Sequence, residues 1–102
     1  MNLLIENLVK ELIIGTKKSL DNKQILLDKK KEKMLSNILL TELTKPSFQQ
    51  SKTPTQIVND FLSKEFREYF DLTPHDFGEK AHELIMEWGI KKAKDMNEQE
   101  SN

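Results

Sequence analysis

Two histidines and two glutamates lie close together in the second half of the chain, at His75, Glu79, His82 and Glu83. On a helix these residues fall on one side, and Glu79 and His82 have the Glu-x-x-His spacing that di-iron helical bundles use. Such bundles need two copies of this motif and further glutamates, whereas the chain contains one copy. His75, Glu79 and His82 are therefore only weak candidates for a metal site, and ordinary histidines beside acidic neighbours are the preferred interpretation.

The residue types that most enzymes use for covalent catalysis or phosphate binding are sparse. The chain has no cysteine, and no serine is visibly paired with a histidine. Its glycines, Gly15, Gly78 and Gly89, stand far apart, so they form no glycine-rich loop that could cradle a phosphate. This pattern favours a protein that is not an enzyme and that needs no cofactor.

Lysines are concentrated between residues 17 and 33, where seven lysines stand against three acids and give the segment a charge of +4. Lys29, Lys30 and Lys33 are candidates for contacts with the phosphates of a nucleic acid. No arginine or aromatic residue accompanies them, so the side chains that commonly read bases or stack on single strands are missing. A solvated helix face is the preferred interpretation, and nucleic-acid binding remains the alternative.

The elements that carry these residues are predicted to be helices, because the apolar residues recur with helical spacing. Gly15 is expected to stop the first helix, and Asp21 is expected to cap the second. The pairs Thr53-Pro54 and Thr73-Pro74 predict two further helix starts. The predicted helices span about residues 2–14, 22–44, 54–70 and 74–93, and a polar tail follows at 94–102.

One domain over residues 1–93 is expected, with an all-α fold that is either a small four-helix bundle or an irregular four-helix array. Six of the seven aromatic residues fall in the last two predicted helices, so the densest core is expected there. Lys31 and Glu65 each interrupt an apolar helix face. Lys31 is expected to extend its ammonium outward past the neighbouring helix, and a pair of Lys31 with a buried Glu65 that fixes the register of two helices is a further hypothesis.

A second apolar strip, formed by Met86, Ile90 and Ala93, lies beside the main face of the last helix, which contains Phe77 and Trp88. A helix that is apolar on two sides must contact more than one neighbour. Either the bundle encloses this strip or a partner covers it. Phe48, the one apolar residue of a polar loop at 45–52 besides Pro46, is expected to fill the core, with anchoring to a partner or simple exposure to solvent as the alternatives.

These observations predict a non-enzymatic protein–protein interaction module that docks through a helix face, on itself as a homodimer or on another protein. Small regulators, inhibitors and adaptors, including those of phages and plasmids, have this size and class. The different-class alternatives are a lysine-mediated nucleic-acid-binding regulator and a dimeric His/Glu metal-site protein. The absence of cysteine fits the cytoplasm. The first apolar segment, Leu3–Ile14, is too short and too charged to span a membrane.

Overall fold

Four α-helices follow one another along the chain, and the computed structural model describes residues 2–100, with the side chains of residues 2–98. They are α1 (Leu3–Asn22), α2 (Lys29–Leu43), α3 (Pro54–Phe66) and α4 (Glu79–Glu100). Short 3₁₀ turns at Ser47–Gln49 and Pro74–Phe77 precede α3 and α4. The described residues contain no strand, so the predicted all-α class is confirmed. Met1 and residues 101–102, which the predicted domain and tail included, lie outside the described residues.

The first helix is the centre of the fold, because α1 packs against α2 on one side and against α4 and the Pro74–Phe77 turn on the other. Helix α3 packs against α2. The most deeply buried side chains are therefore mainly aliphatic: Leu8, Leu12, Leu20, Leu35, Leu39, Val58 and Leu62. The expectation that the aromatic second half holds the densest core was wrong. Tyr69 is 80% exposed, and the helix covered on two sides is α1.

Helix α1 continues seven residues past Gly15, so the prediction that Gly15 stops it was wrong. The helix ends in a Schellman motif. The amide of Ile25 donates to the carbonyl of Leu20 at 2.9 Å, and the amide of Gln24 donates to that of Asp21 at 2.9 Å. Gln24 has the left-handed backbone that this ending requires, with φ of 60°. Asp21 therefore belongs to the end of α1, and the cap of α2 is Asp28, whose side chain accepts from the Lys31 amide at 2.8 Å.

Gly15 has a packing role in place of the predicted terminal one. A Cβ atom at this position would lie 2.3 Å from the carbonyl oxygen of Phe77 and 2.6 Å from its Cα. The missing side chain lets the backbone of the Pro74–Phe77 turn rest directly on α1. Ser19, one turn further along α1, secures the same turn by donating a hydrogen bond to the backbone carbonyl of Asp76 at 3.0 Å.

Helix α3 begins where the sequence predicts and ends earlier. The amide of Gln56 donates to the Thr53 hydroxyl at 3.1 Å, and the Gln56 side chain accepts from the Thr53 amide at 2.8 Å, which confirms the capping box. The helix ends at Phe66 and not at residue 70, because Arg67 is left-handed with φ of 51°. Residues 67–73 then fold back along α3. The side chain of Asn59 bonds both the amide and the carbonyl of Leu72, each at 2.9 Å.

Helix α4 begins later and ends later than predicted. Thr73 and Asp76 form a capping box, but it opens the 3₁₀ turn, and α4 itself starts at Glu79 after Gly78. The helix runs to Glu100, so the tail predicted to begin at residue 94 is helical as far as the described residues reach. The loop before α3 supports this extension, because the Ser47 hydroxyl donates to the Asp95 carboxylate at 3.1 Å.

Candidate functional site

The apolar strip of Met86, Ile90 and Ala93 lies on the outer face of α4. The side chain of Met86 is 55% exposed and that of Ile90 is 56% exposed. Both residues are two positions away from Trp88, which corresponds to roughly half a turn of helix and therefore to the opposite side from the buried face. Within the described residues, the chain's own fold leaves this strip open to solvent along two turns of α4.

Charged and small residues border the α4 strip. Glu87 and Lys94 follow Met86 and Ala93 by one position, and both side chains are exposed. Neither of them forms an ion pair within the described part of the chain. Gly89 is open as well, since a Cβ atom built there would have no neighbour within 4 Å. The border of the strip can therefore accept both a close backbone and oppositely charged groups.

Phe48 does not fill the core, which corrects the preferred expectation for this residue. Its side chain is 56% exposed. The 3₁₀ turn that carries it contacts α4 near Asp95, on the side of the helix that also contains Trp88. Phe48 and the α4 strip are consequently separate exposed apolar features, and the structure does not join them into one surface.

The two histidines meet, but without a set of metal ligands around them. The rings of His75 and His82 are stacked, with centroids 4.2 Å apart and an angle of 19° between their planes. No group of three or more histidine, cysteine or carboxylate side chains in the described residues is arranged to hold a metal ion. Glu79 is exposed at the first turn of α4, so the two histidines come together without this third candidate ligand.

Lys29, Lys30 and Lys33 are all exposed on α2, and two of them border a groove that the sequence did not reveal. This groove lies between α1 and α2, has a volume of about 640 Å³, and is lined by Lys29 and Lys33. Its floor is apolar and includes Val9, Ile13, Ile14 and Leu40. Lys17 pairs with Glu32 at 3.3 Å beside it. Two lysines of the cluster, Lys29 and Lys33, therefore border an apolar groove.

A second groove lies between α2 and α3 and includes two partly exposed apolar residues of α2. Met34 is 38% exposed and Ile38 is 40% exposed, and both line this groove of about 520 Å³. At its edge, the hydrogen bond from Lys52 to Asp60, 2.6 Å long, raises the pKa of Lys52 above its ordinary value. The sequence pattern could not separate Met34 and Ile38 from the core because they border the buried Leu35–Leu39 ridge of the same helix.

The predicted pair of Lys31 and Glu65 does not form. The Lys31 ammonium lies 4.9 Å from the centroid of the Phe66 ring, and Glu65 has no ion pair within the described residues. Glu65 lines the groove between α2 and α3, where its side chain is half-buried. Lys31 instead contacts the neighbouring helix α3 through a cation–π interaction with the ring of Phe66, the residue that follows Glu65.

Comparison with known proteins found no relative: no family model, curated protein or solved structure matches the chain. Among the described residues, no helix combines the length and the apolar character that crossing a bilayer requires. Among the exposed features that the sequence singled out, the α4 strip is the one in which several apolar side chains lie together on one face of a helix.

Proposed function

We propose that this chain is a non-enzymatic protein–protein interaction module that docks through the outer face of α4. The observation that supports this proposal most directly is the exposure of Met86 and Ile90, at 55% and 56%, on one line of the helix. Small regulators and adaptors act through such docking, and the proposal assigns this chain to that class.

The energetics of the strip are consistent with docking. Burying an apolar side chain fully stabilises a protein by about 1.5–3 kcal/mol, so covering two half-exposed residues contributes roughly 2 kcal/mol before other contacts are counted. Interface cores are enriched in methionine and depleted in charged residues, and charged residues form the rim. Met86 and Ile90 with Glu87 and Lys94 at their border have this arrangement.

The proposal is tested by changing Ile90 to Glu and measuring the size of the chain's complexes in an extract of its native host. A charge in the middle of the strip should abolish docking, because an interface would have to bury it without a partner. The wild-type chain should run larger than its own mass of 12.0 kDa, and the Ile90→Glu variant should return to that mass.

A matched control is Leu26→Glu, because Leu26 is 76% exposed and lies in the loop between α1 and α2. This variant should keep the wild-type complexes, and circular dichroism should show that both variants remain helical. A wild-type chain that runs as a monomer in the extract, or complexes that survive Ile90→Glu, would contradict docking through α4.

A further inference from the structure

We infer that the partner of the α4 strip is the same strip of a second copy, in an antiparallel two-fold dimer. This inference rests on the proposed function, since it uses the same docking surface and names its occupant. A dimer in which both copies use one patch is closed and needs no second binding site. Three features of α4 support it: the spacing of the strip, the open position at Gly89, and the charges beside the strip.

The spacing of the strip is that of a helix–helix seam. Met86, Ile90 and Ala93 are separated by four and three residues, which is the alternation that keeps one side of a helix facing a partner helix. When two such helices run antiparallel, Ile90 of each copy can pack against Ala93 of the other. Gly89 beside this layer has no atom within 4 Å of its missing Cβ, so the second backbone can approach closely.

The charges beside the strip select the direction and the register of the two helices. Glu87 and Lys94 occupy equivalent flanking positions one heptad apart, and in an antiparallel pair equivalent flanking positions face each other. With Ile90 against Ala93, Glu87 of each copy faces Lys94 of the other, so two ion pairs form.

The alternative arrangements lack this match. A shift by one heptad brings Glu87 against Glu87 of the second copy in one direction, and Lys94 against Lys94 in the other. Like charges at such positions are destabilising. A parallel dimer would place Lys94 beside Gly89, where its charge has no partner. The exposure of Glu87 and Lys94, and their lack of ion pairs within the described residues, leaves both of them available for the second copy.

A charge-exchange series with the purified full chain tests the register. Sedimentation at low salt should show a wild-type dimer. Glu87→Lys and Lys94→Glu should each raise the dimer dissociation constant by about tenfold or more, because each converts two attractive contacts into two repulsive ones. The double variant Glu87→Lys/Lys94→Glu should restore the wild-type value. Lys30→Glu is the control, since Lys30 is exposed on α2, and it should leave the dimer unchanged.

A crosslinking experiment tests the direction, and the absence of natural cysteine makes it clean. Mixing an Ile90→Cys chain with an Ala93→Cys chain under oxidising conditions should give a disulfide-linked heterodimer. Each chain alone should link to itself much less, since the two-fold axis does not bring either position against itself. Efficient self-linking of Ile90→Cys together with poor mixed linking would overturn the antiparallel arrangement in favour of a parallel one.

The outcomes separate this inference from the proposed function. A purified chain that is monomeric at every concentration overturns the dimer. If its complexes in the host extract still depend on Ile90, docking through α4 survives with a different protein as the occupant. If the chain is monomeric in both settings, the dimer and the proposed function both fail. A stable dimer that the double charge variant does not restore overturns the register.

Discussion

Gly15 should be intolerant of even the smallest side chain. Alanine in the middle of a helix is normally about 1 kcal/mol more favourable than glycine, so propensity alone predicts that Gly15→Ala stabilises the protein. A Cβ atom 2.3 Å from the Phe77 carbonyl oxygen must instead displace the Pro74–Phe77 turn from α1. We expect the free energy of unfolding in urea to fall by about 1–3 kcal/mol, the usual cost of overpacking.

Gly89→Ala is the matched control, because Gly89 is also helical and has no neighbour that a Cβ would meet within 4 Å. It should raise the free energy of unfolding by about 0.5–1 kcal/mol. Both variants are measured in a chain that also carries Ile90→Glu, so that association does not contribute to the measured stability. Equal effects of the two alanines would show that the contact between Gly15 and Phe77 imposes no strain.

At the scale of elements, two side chains of α3 hold the return of the chain after this helix: Ser63 accepts from the Phe70 amide at 3.2 Å, and Asn59 bonds the Leu72 backbone. The Asn59 side chain donates to the Leu72 carbonyl and accepts from the Leu72 amide. It therefore satisfies two backbone groups of a segment that is neither helix nor strand. Asn59→Ala should lower the free energy of unfolding by about 1–3 kcal/mol, because it leaves a part-buried amide and carbonyl unsatisfied. It should also speed hydrogen exchange of the Leu72 amide.

The control for this element is Asn37→Ala, since Asn37 is an exposed asparagine on α2 for which the structure shows no hydrogen bond of the side chain. It should change the stability by less than about 0.5 kcal/mol, as surface substitutions usually do. If the exchange of Leu72 were the same in the Asn59→Ala chain as in the wild type, the segment would be held by something other than Asn59.

The start of α3 could be predicted from the sequence, whereas the end of α1 could not, and the reason is physical. The capping box of Thr53 and Gln56 involves residues three positions apart, so the chain carries the whole signal locally. The end of α1 could not be found in the same way. Glycine is a residue type that commonly ends helices, yet Gly15 lies within α1, where its missing side chain makes room for the backbone of Phe77. Phe77 is distant in sequence and comes close to Gly15 only in the folded chain.

The candidate site shows the same limit. The spacing of Met86, Ile90 and Ala93 predicted a second apolar strip, because helical periodicity is visible in the sequence. Periodicity does not say whether another element covers that strip, and the exposure of Met86 and Ile90 appeared only in the fold. The groove between α1 and α2 was not predicted, since Val9 and Ile13 also belong to the apolar ridges of α1 and look like ordinary core.

At the scale of the whole molecule, α1 lies between α2 and α4, which are also linked through the contact of the Ser47–Gln49 turn with α4. It packs against α2 on one side and α4 on the other, while α3 is attached mainly through α2. The groove between α1 and α2 and the α4 strip lie on different sides of this arrangement: the groove is on the α2 side of α1, and the strip is on the outer face of α4. An alteration of α4's outer face should therefore affect assembly without affecting the core.

A substitution in the centre of α1 should destabilise the entire chain as one unit. Leu12 is fully buried, so Leu12→Ala should lower the free energy of unfolding by about 2–5 kcal/mol. Leu26→Ala should change it by less than about 0.5 kcal/mol, because the Leu26 side chain is 76% exposed.

Trp88, the only tryptophan, reports on α4, and far-ultraviolet circular dichroism reports on all the helices. Because α1 connects α4 to α2, both signals should change in one coincident urea transition in either variant. A Leu12→Ala chain in which Trp88 reports a separate, unshifted transition would show that α4 is stable without α1.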